Sequence, residues 1–197
     1  PYNPFSHYGM SKVAQEELCH EYKEKLPIVI IRPPSVYGPR DGEIYTVFKA
    51  MAKGVFATVG FNRKTLSMIY IDDLVNGMRL ALESEKTSGE TYFISSEEEY
   101  DWSQIAKYGK AALGKGFLNL KVPHSLVHIS AFFAESWAGI SGKAATLNTE
   151  KAKEVVQESW ACSPNKAKRD FGYRQMISLE EGFKRTVAWY RENGWIK

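Results

Sequence analysis

A run of five residues, IVIIR at Ile28–Arg32, constrains this chain more than any other stretch. It is short, rich in β-branched side chains and free of polar residues until Arg32, the pattern of a strand buried on both faces. Such a strand needs cover on each side, and the neighbouring sequence offers helix. Ser6–Lys25 carries few breakers after Gly9 and many helix formers, and Pro27 closes it. PPSVYGPRDG, Pro33–Gly42, then reads as a loop dense in proline and glycine.

The alternation continues along the chain. Ile44–Lys53 reads as a helix ended by Gly54, and Val55–Val59 as a short strand. Ser67–Ile71 reads as another strand, with a helix starting at Asp72 or Asp73 and running to about Ser84. Thr91–Ser96 is a strand, and Asp101 with Gln104 gives a capping-box start to a helix reaching Leu113. From Phe117 onward the pattern is mostly helical, and the last helix runs from about Leu179 to Glu192. Within that part Leu126–Ile140 is the most apolar long segment, interrupted by His128, Ser130, Glu135 and Ser136. It falls short of the roughly 20 apolar residues that cross a bilayer and reads as an amphipathic core helix. The order of elements predicts an α/β chain with a helix-rich C-terminal part.

Composition excludes several classes. With 197 residues, 44% hydrophobic and 25% charged, the chain has the length and apolar content for a real core. Its 26 basic and 23 acidic side chains are mixed along the sequence, so no tail or stripe marks nucleic acid or an anionic membrane as a partner. Cys19 and Cys162 have no CxxC spacing, which argues against a disulfide framework or a zinc site and predicts reduced thiols in a cytoplasmic protein. The first residues, PYNPFSHYGMSK, lack the pattern of a signal peptide.

Among residues that carry chemistry, Tyr8 and Lys12 stand four apart, one helical turn on the same face. A free phenol, with a pKa of about 10, is a poor base at neutral pH; a nearby ammonium lowers that value and turns the pair into a proton-transfer unit. The same spacing also occurs on ordinary solvated helix faces, so the pair alone does not decide. His124 and His128 share a spacing that zinc ligands use, but with no HExxH and no third ligand they read as core or surface histidines. Asp72 and Asp73 read as helix caps, and Glu97–Glu99 as a solvated loop. Cys162 reads as a small buried residue, and Phe183, Trp189, Tyr190 and Trp195 as packing. Lys107, Lys110 and Lys115, and Lys166, Lys168 and Arg169, read as solvated helix faces. A strand, glycine-rich turn and helix that would hold a pyrophosphate is missing, since Gly114–Leu120 and Gly139–Lys143 have the wrong spacing and context.

Taken in order, the motifs resemble one family. YGMSK, then a helix, then IVIIRPPSVYGPRD is similar to the extended short-chain dehydrogenase/reductases, also called the NAD-dependent epimerase/dehydratase family. The likeness continues through Ser67–Leu82, Gly89–Ser95 and Asn165–Trp195, and so covers nearly the whole chain. It implies the C-terminal part of a Rossmann-type, doubly wound sheet together with a smaller helix-rich substrate-binding lobe. Residues 1–41 with about 67–97 would belong to the sheet, and about 42–66 with 98–197 to the lobe.

The resemblance also implies roles. Tyr8 matches the family's acid/base tyrosine, and Lys12 the lysine that bonds the nicotinamide ribose and depresses the tyrosine pKa. Pro34 and Val36 match positions beside the nicotinamide, and the cofactor is NAD or NADP. The family's phosphate loop and catalytic Ser or Thr precede the tyrosine, which implies that this chain is a C-terminal portion, inactive and without cofactor when alone. Sugar-nucleotide members usually place Asn where Ser35 stands, and many place Arg where Leu66 stands. Their absence tilts the expectation towards hydroxysteroid- or dihydroflavonol-like substrates, with Ser35, Arg63 and Lys64 as substrate-binding candidates. The alternatives are a nucleotide-sugar epimerase or dehydratase, which Arg63 or Lys64 would serve at a phosphate, and a non-catalytic binding module. A homodimer through the helix of Tyr8 would place Gln15, Leu18 or Tyr22 at an interface.

Overall fold

A computed structural model describes residues 4, 6–127, 129–131, 134, 149, 152–153 and 156–197. The first half contains α1 (His7–Tyr22), β1 (Ile30–Arg32), β2 (Ser35–Tyr37), α2 (Glu43–Ala52), β3 (Val55–Val59), β4 (Thr65–Leu66), β5 (Met68–Tyr70), α3 (Ile71–Glu83) and β6 (Thr91–Phe93). The second half adds β7 (Tyr100–Asp101), α4 (Trp102–Leu113), β8 (Leu118–Val122), β9 (Ser159–Trp160), α5 (Asn165–Phe171) and α6 (Leu179–Glu192). Residues 124–127, 129–131 and 134 are also helical, so part of the apolar segment expected as a helix is one; the rest of 126–140, with His128, and the whole of Gly139–Lys143 lie outside the described residues.

Pro33 and Pro34 determine the path of the chain between β1 and β2. Proline has no N–H to give to a ladder, and here the strand changes neighbour. β1 runs parallel to β6, with Ile31 opposite Tyr92, whereas β2 runs parallel to β5, with Val36 opposite Ile69. Part of the expected loop Pro33–Gly42 is therefore strand. β1 is shorter than expected and half-buried rather than enclosed on both faces, because α1 on its flank buries none of its own side chains. The other departure is in the C-terminal part, where Leu118–Val122 is a strand parallel to β3 and not helix. A further small sheet places β4 between β7, antiparallel, and β9, parallel.

Three apolar clusters result among the described residues. The largest gathers Tyr37, Phe48, Met51, Phe56, Phe183 and Tyr190. Edge-to-face contacts join Tyr37 to Phe183 at 5.2 Å and Phe48 to Phe183 at 4.9 Å, and Tyr190 stacks on Trp195 at 5.5 Å. The aromatic residues of the C-terminal helix thus pack, as expected. Gly182 is required there, because a Cβ on it would collide with Tyr37 Oη. A second core holds Ile69, Leu74, Tyr92, Ile94 and Tyr173 under α3 and α5, and a third, small cluster holds Val127, Ala131 and Ala152.

Asp73 joins the two halves, and does so differently from the sequence expectation. It does not cap its helix; Tyr70 is the N-cap of α3 and makes no side-chain cap bond. The Asp73 carboxylate is fully buried and accepts hydrogen bonds from Met176 N–H at 2.9 Å and Ile177 N–H at 3.0 Å, more than 100 residues away. Burial raises its pKa, and the two amide donors oppose that rise. Asp73→Ala should leave both amides unpaired and cost about 3 kcal/mol, with Asp73→Asn losing less because it keeps one acceptor. Urea midpoints for the two variants measure this.

Candidate active site

Tyr8 lies in the first turn of α1. Ser6 starts the helix by accepting from Gly9 N–H at 3.1 Å, and Ser11 Oγ donates to the Tyr8 carbonyl at 2.8 Å. Lys12 follows one turn later with its Nζ 5.4 Å from the centroid of the Tyr8 ring, and the same ammonium donates to Gln15 Oε1 at 3.1 Å. The Tyr8 side chain is 70% exposed. The structure thus brings phenol and ammonium together on an open face, an arrangement that can hold and move a proton at a ligand oxygen.

Since α1 buries no side chain, its position depends on polar contacts. Arg32, on β1, donates Nε to Glu16 Oε1 at 2.8 Å, and its second nitrogen meets the other carboxylate oxygen. The guanidinium also lies over the Phe93 ring at 5.7 Å. Such a two-point fork fixes orientation as well as distance. Glu16 was not singled out from the sequence; the only local hint was an acid on a helix that precedes an arginine-ended strand.

Beyond Arg32 the partner switch exposes Ser35, while Pro34 and Val36 are half-buried on either side of it. The loop between β3 and β4 supplies Arg63 and Lys64, but neither stands as an isolated cation. Arg63, 77% exposed, reaches Asp101 Oδ2 at 3.4 Å. Lys64 is buried, and desolvation lowers its pKa against the opposing charge of Glu158. Asn62 Nδ2 also donates weakly to Glu158 Oε1, at 3.4 Å.

Asp101 holds this loop and begins α4 in the expected capping box. Its Oδ1 accepts from Ser103 N–H at 2.9 Å and Gln104 N–H at 3.0 Å, and Gln104 Oε1 accepts from Asp101 N–H at 3.0 Å. Directly beneath Ser35 is an apolar cavity of about 110 Å³, walled by α2, β4, β5, α4 and α6. A larger open cleft of about 430 Å³ beside Glu97, Tyr108 and Glu180 contains none of the residues expected in the site.

Other sequence candidates resolve as structure. Gly60 packs so closely on His124 that a Cβ would collide with Nε2, and among the described residues no cluster of three or more metal-type side chains occurs. Cys162 is half-buried; its carbonyl accepts from Ser67 and Ser95, and burial raises its thiol pKa. The basic residues on α5 are not simply solvated. Lys166 pairs with Glu90, Lys168 with Glu97 and Arg169 with Asp170, and Glu97 in turn accepts from Gln175 N–H at 3.3 Å.

The sequence profile of the NAD dependent epimerase/dehydratase family matches residues 1–95, the part that holds Tyr8, Lys12, β1, β2 and β5. That match covers just under half of the chain, and the relatives below extend the likeness over the rest. It is 27% identical to N-acetyl-alpha-D-glucosaminyl-diphospho-ditrans,octacis-undecaprenol 4-epimerase of Escherichia coli O157:H7, over 96% of this chain and 58% of that protein. It is 23% identical to a ceramide reductase of Caulobacter vibrioides, over 97% of this chain and 59% of the relative. The chain thus spans a little over half the length of these relatives. Its fold is shared with UDP-glucuronic acid 4-epimerase of Bacillus cereus, solved with UDP-glucuronic acid and NAD; the TM-score is 0.70 at 24% identity, covering 97% of this chain and 54% of that one. The proteins it resembles include reductases as well as epimerases and dehydratases, and no described helix of this chain is long and apolar enough to cross a membrane.

Two outcomes test this scaffold. Glu16→Ala should speed hydrogen exchange of α1 amides at least several-fold while leaving the global urea midpoint within about 1 kcal/mol, because the pair is partly exposed. Asp101 carries an acid-labile contribution. The Ser103 hydroxyl, then the Gln104 amide, hold its carboxyl below the ordinary range. That stability is present above the unfolded value of about 3.9 and is lost as pH falls through the lower folded value. Asp101→Ala should cost about 1 kcal/mol at neutral pH and flatten the acid limb of stability against pH.

Proposed function

We propose that Tyr8 is the acid/base residue of an NAD(P)-dependent oxidoreductase, epimerase or dehydratase acting on a hydroxyl or keto group. The observation that carries this reading is Lys12 Nζ at 5.4 Å from the centroid of an exposed Tyr8 ring, on the helix tied to β1 by Glu16 and Arg32. Tyr8 Oη gives a proton to the substrate oxygen or takes one from it, and Lys12 supplies the cation beside the developing phenolate. Pro34 and Val36 would hold the nicotinamide, and Ser35 would meet the substrate.

The fit to a dinucleotide rests on the strand switch. Ligands of open α/β sheets bind where neighbouring strands part, beyond their carboxyl ends, and β1 and β2 part at Pro33–Pro34 next to exposed Ser35. When bound, the cofactor supplies hydride transfer. The pyrophosphate has no glycine-rich helix start within these residues, so the 197-residue chain alone is inactive in this reading and works as part of a longer, cytoplasmic protein. A second copy pairing through α1 would use Gln15, Leu18 or Tyr22, all three of which are exposed.

The lining supports one substrate class over another. Ser35, Leu66 and the apolar cavity between them favour a weakly charged, hydroxysteroid- or dihydroflavonol-like molecule, and the ceramide reductase supports a lipidic one. The alternative, a nucleotide sugar, is favoured by the exposure of Arg63 and by the sugar-acting relatives. Expression of the natural reading frame with its upstream sequence, screened for NAD(P)H oxidation on keto steroids, flavonoid-like ketones and nucleotide sugars, tests the reading. Turnover should fall at least about 100-fold in Tyr8→Phe. Full activity of that variant, or turnover by the 197-residue chain alone, overturns it.

A further inference from the structure

Away from the candidate site, β3 and β8 form a parallel pair with an uncovered apolar face. Successive side chains of a strand point to opposite faces, and the register sets Val55 beside Leu118, Ala57 beside Leu120 and Val59 beside Val122. These six side chains therefore share one face. On β3 the opposite face carries Phe56 and Thr58, both buried, with Phe56 in the largest core. The apolar face is covered at one end, where Val59 and Val122 pack against Val127, Ala131 and Ala152. At the other end it is open, with Val55 37%, Leu118 62% and Leu120 42% exposed. The helical residues at the covered end expose Leu126 and Ile129 in turn, and β8 has no second neighbouring strand among the described residues. A contiguous exposed apolar face of this kind marks a surface that meets something other than water.

The charge around it has one sign. Residues 49–60 and 110–122, which contain the two strands and their approaches, hold Lys49, Lys53, Lys110, Lys115 and Lys121 and not one aspartate or glutamate. All five lysines are exposed, and none forms an ion pair with a described residue. The sequence shows no basic stripe here because the two segments lie about 60 residues apart and only the strand pairing joins them.

We infer that the outer face of β3 and β8 docks on an anionic lipid membrane, with Val55, Leu118 and Leu120 entering the headgroup boundary and the lysines meeting lipid phosphates. Such a surface binds the interface in two ways, through the apolar area it buries and through attraction to anionic headgroups. A second copy of the chain fits the face worse. A symmetric contact would set the five lysines of one copy against the same five of the other with no acid between them. Docking on the interface also needs no membrane-crossing helix, and none occurs among the described residues. The inference goes beyond the proposed chemistry at Tyr8 and does not depend on it.

Co-sedimentation with vesicles tests this, using the protein expressed from its natural reading frame. One set of vesicles is phosphatidylcholine alone; the other is equal parts phosphatidylcholine and phosphatidylglycerol. The protein should bind the mixed vesicles at least about 10-fold more tightly than the neutral ones, and high salt should shrink that difference. Lys53→Gln combined with Lys115→Gln should weaken binding to the mixed vesicles roughly 10- to 30-fold. Leu118→Gln combined with Leu120→Gln should weaken it at least about 5-fold. Lys23→Gln combined with Lys86→Gln removes the same charge elsewhere and should leave binding within about 2-fold. All these positions are exposed, so the urea midpoint should hold, and the lysine pair decides if the leucine pair does not fold. Equal binding to the two kinds of vesicle, binding that survives the folded lysine variant, or an equal loss in the control variant overturns the inference. A dimer in sedimentation velocity that dissociates in the leucine variant assigns the face to a second copy and overturns it as well.

Discussion

Pro33 and Pro34 remove two successive backbone donors from the extended path that begins at Ile30 and ends at Tyr37. A continuous strand would hold the same neighbour throughout; this one cannot, because consecutive ladder positions lack an N–H. β1 therefore stays with β6, and β2 moves to β5. Ser96 N–H, donating to the Met68 carbonyl at 3.2 Å, bridges from the end of the β6 segment to β5 and limits how far the two pairs separate. The divergence opens the surface where Ser35 lies exposed and where the apolar cavity begins.

That opening has to be held from the opposite side, and Asp73 does much of this. Its helix follows β5 directly, while the backbone it binds at Met176 and Ile177 leads into α6, whose Phe183 is a wall of both the larger core and the cavity. The chain on the other side of the switch is held more lightly. α1 carries the proposed proton-transfer pair, buries no side chain of its own, and depends on the Glu16–Arg32 fork. A rigid lobe and a lightly tethered helix thus meet at the residues expected to touch a ligand.

The parts legible in the sequence are those written locally. The α4 capping box at Asp101 and Gln104, the strand Val55–Val59 and the final helix from Leu179 to Glu192 each announce themselves through adjacent residues. Tyr8 and Lys12 were legible as a pair because one helical turn sets their meeting. What escaped depends on partners distant in sequence. LNLKV at 118–122 has an ordinary alternation, and only β3, some 60 residues earlier, makes it a strand. Asp73 had every local mark of a cap, yet the donors to its carboxylate are amides at Met176 and Ile177. Arg63 and Lys64 read as free cations until the fold brought Asp101 and Glu158 beside them.

This last point bears on substrate charge. To serve a phosphate, Arg63 would have to leave Asp101, which is also the N-cap of α4, and exchange one charge partner for another with little net gain in a solvated setting. Lys64 would have to bring a desolvated ammonium out of the site where Glu158 offsets its burial. Both moves require the β3–β4 loop to rearrange. An apolar ligand entering beneath Ser35 would meet Leu66, Met68 and Phe48 as they stand. With the scaffold fixed by Asp73 and the strand switch, the ligand that demands the least rearrangement is the uncharged one, which is why the proposed reading puts it first.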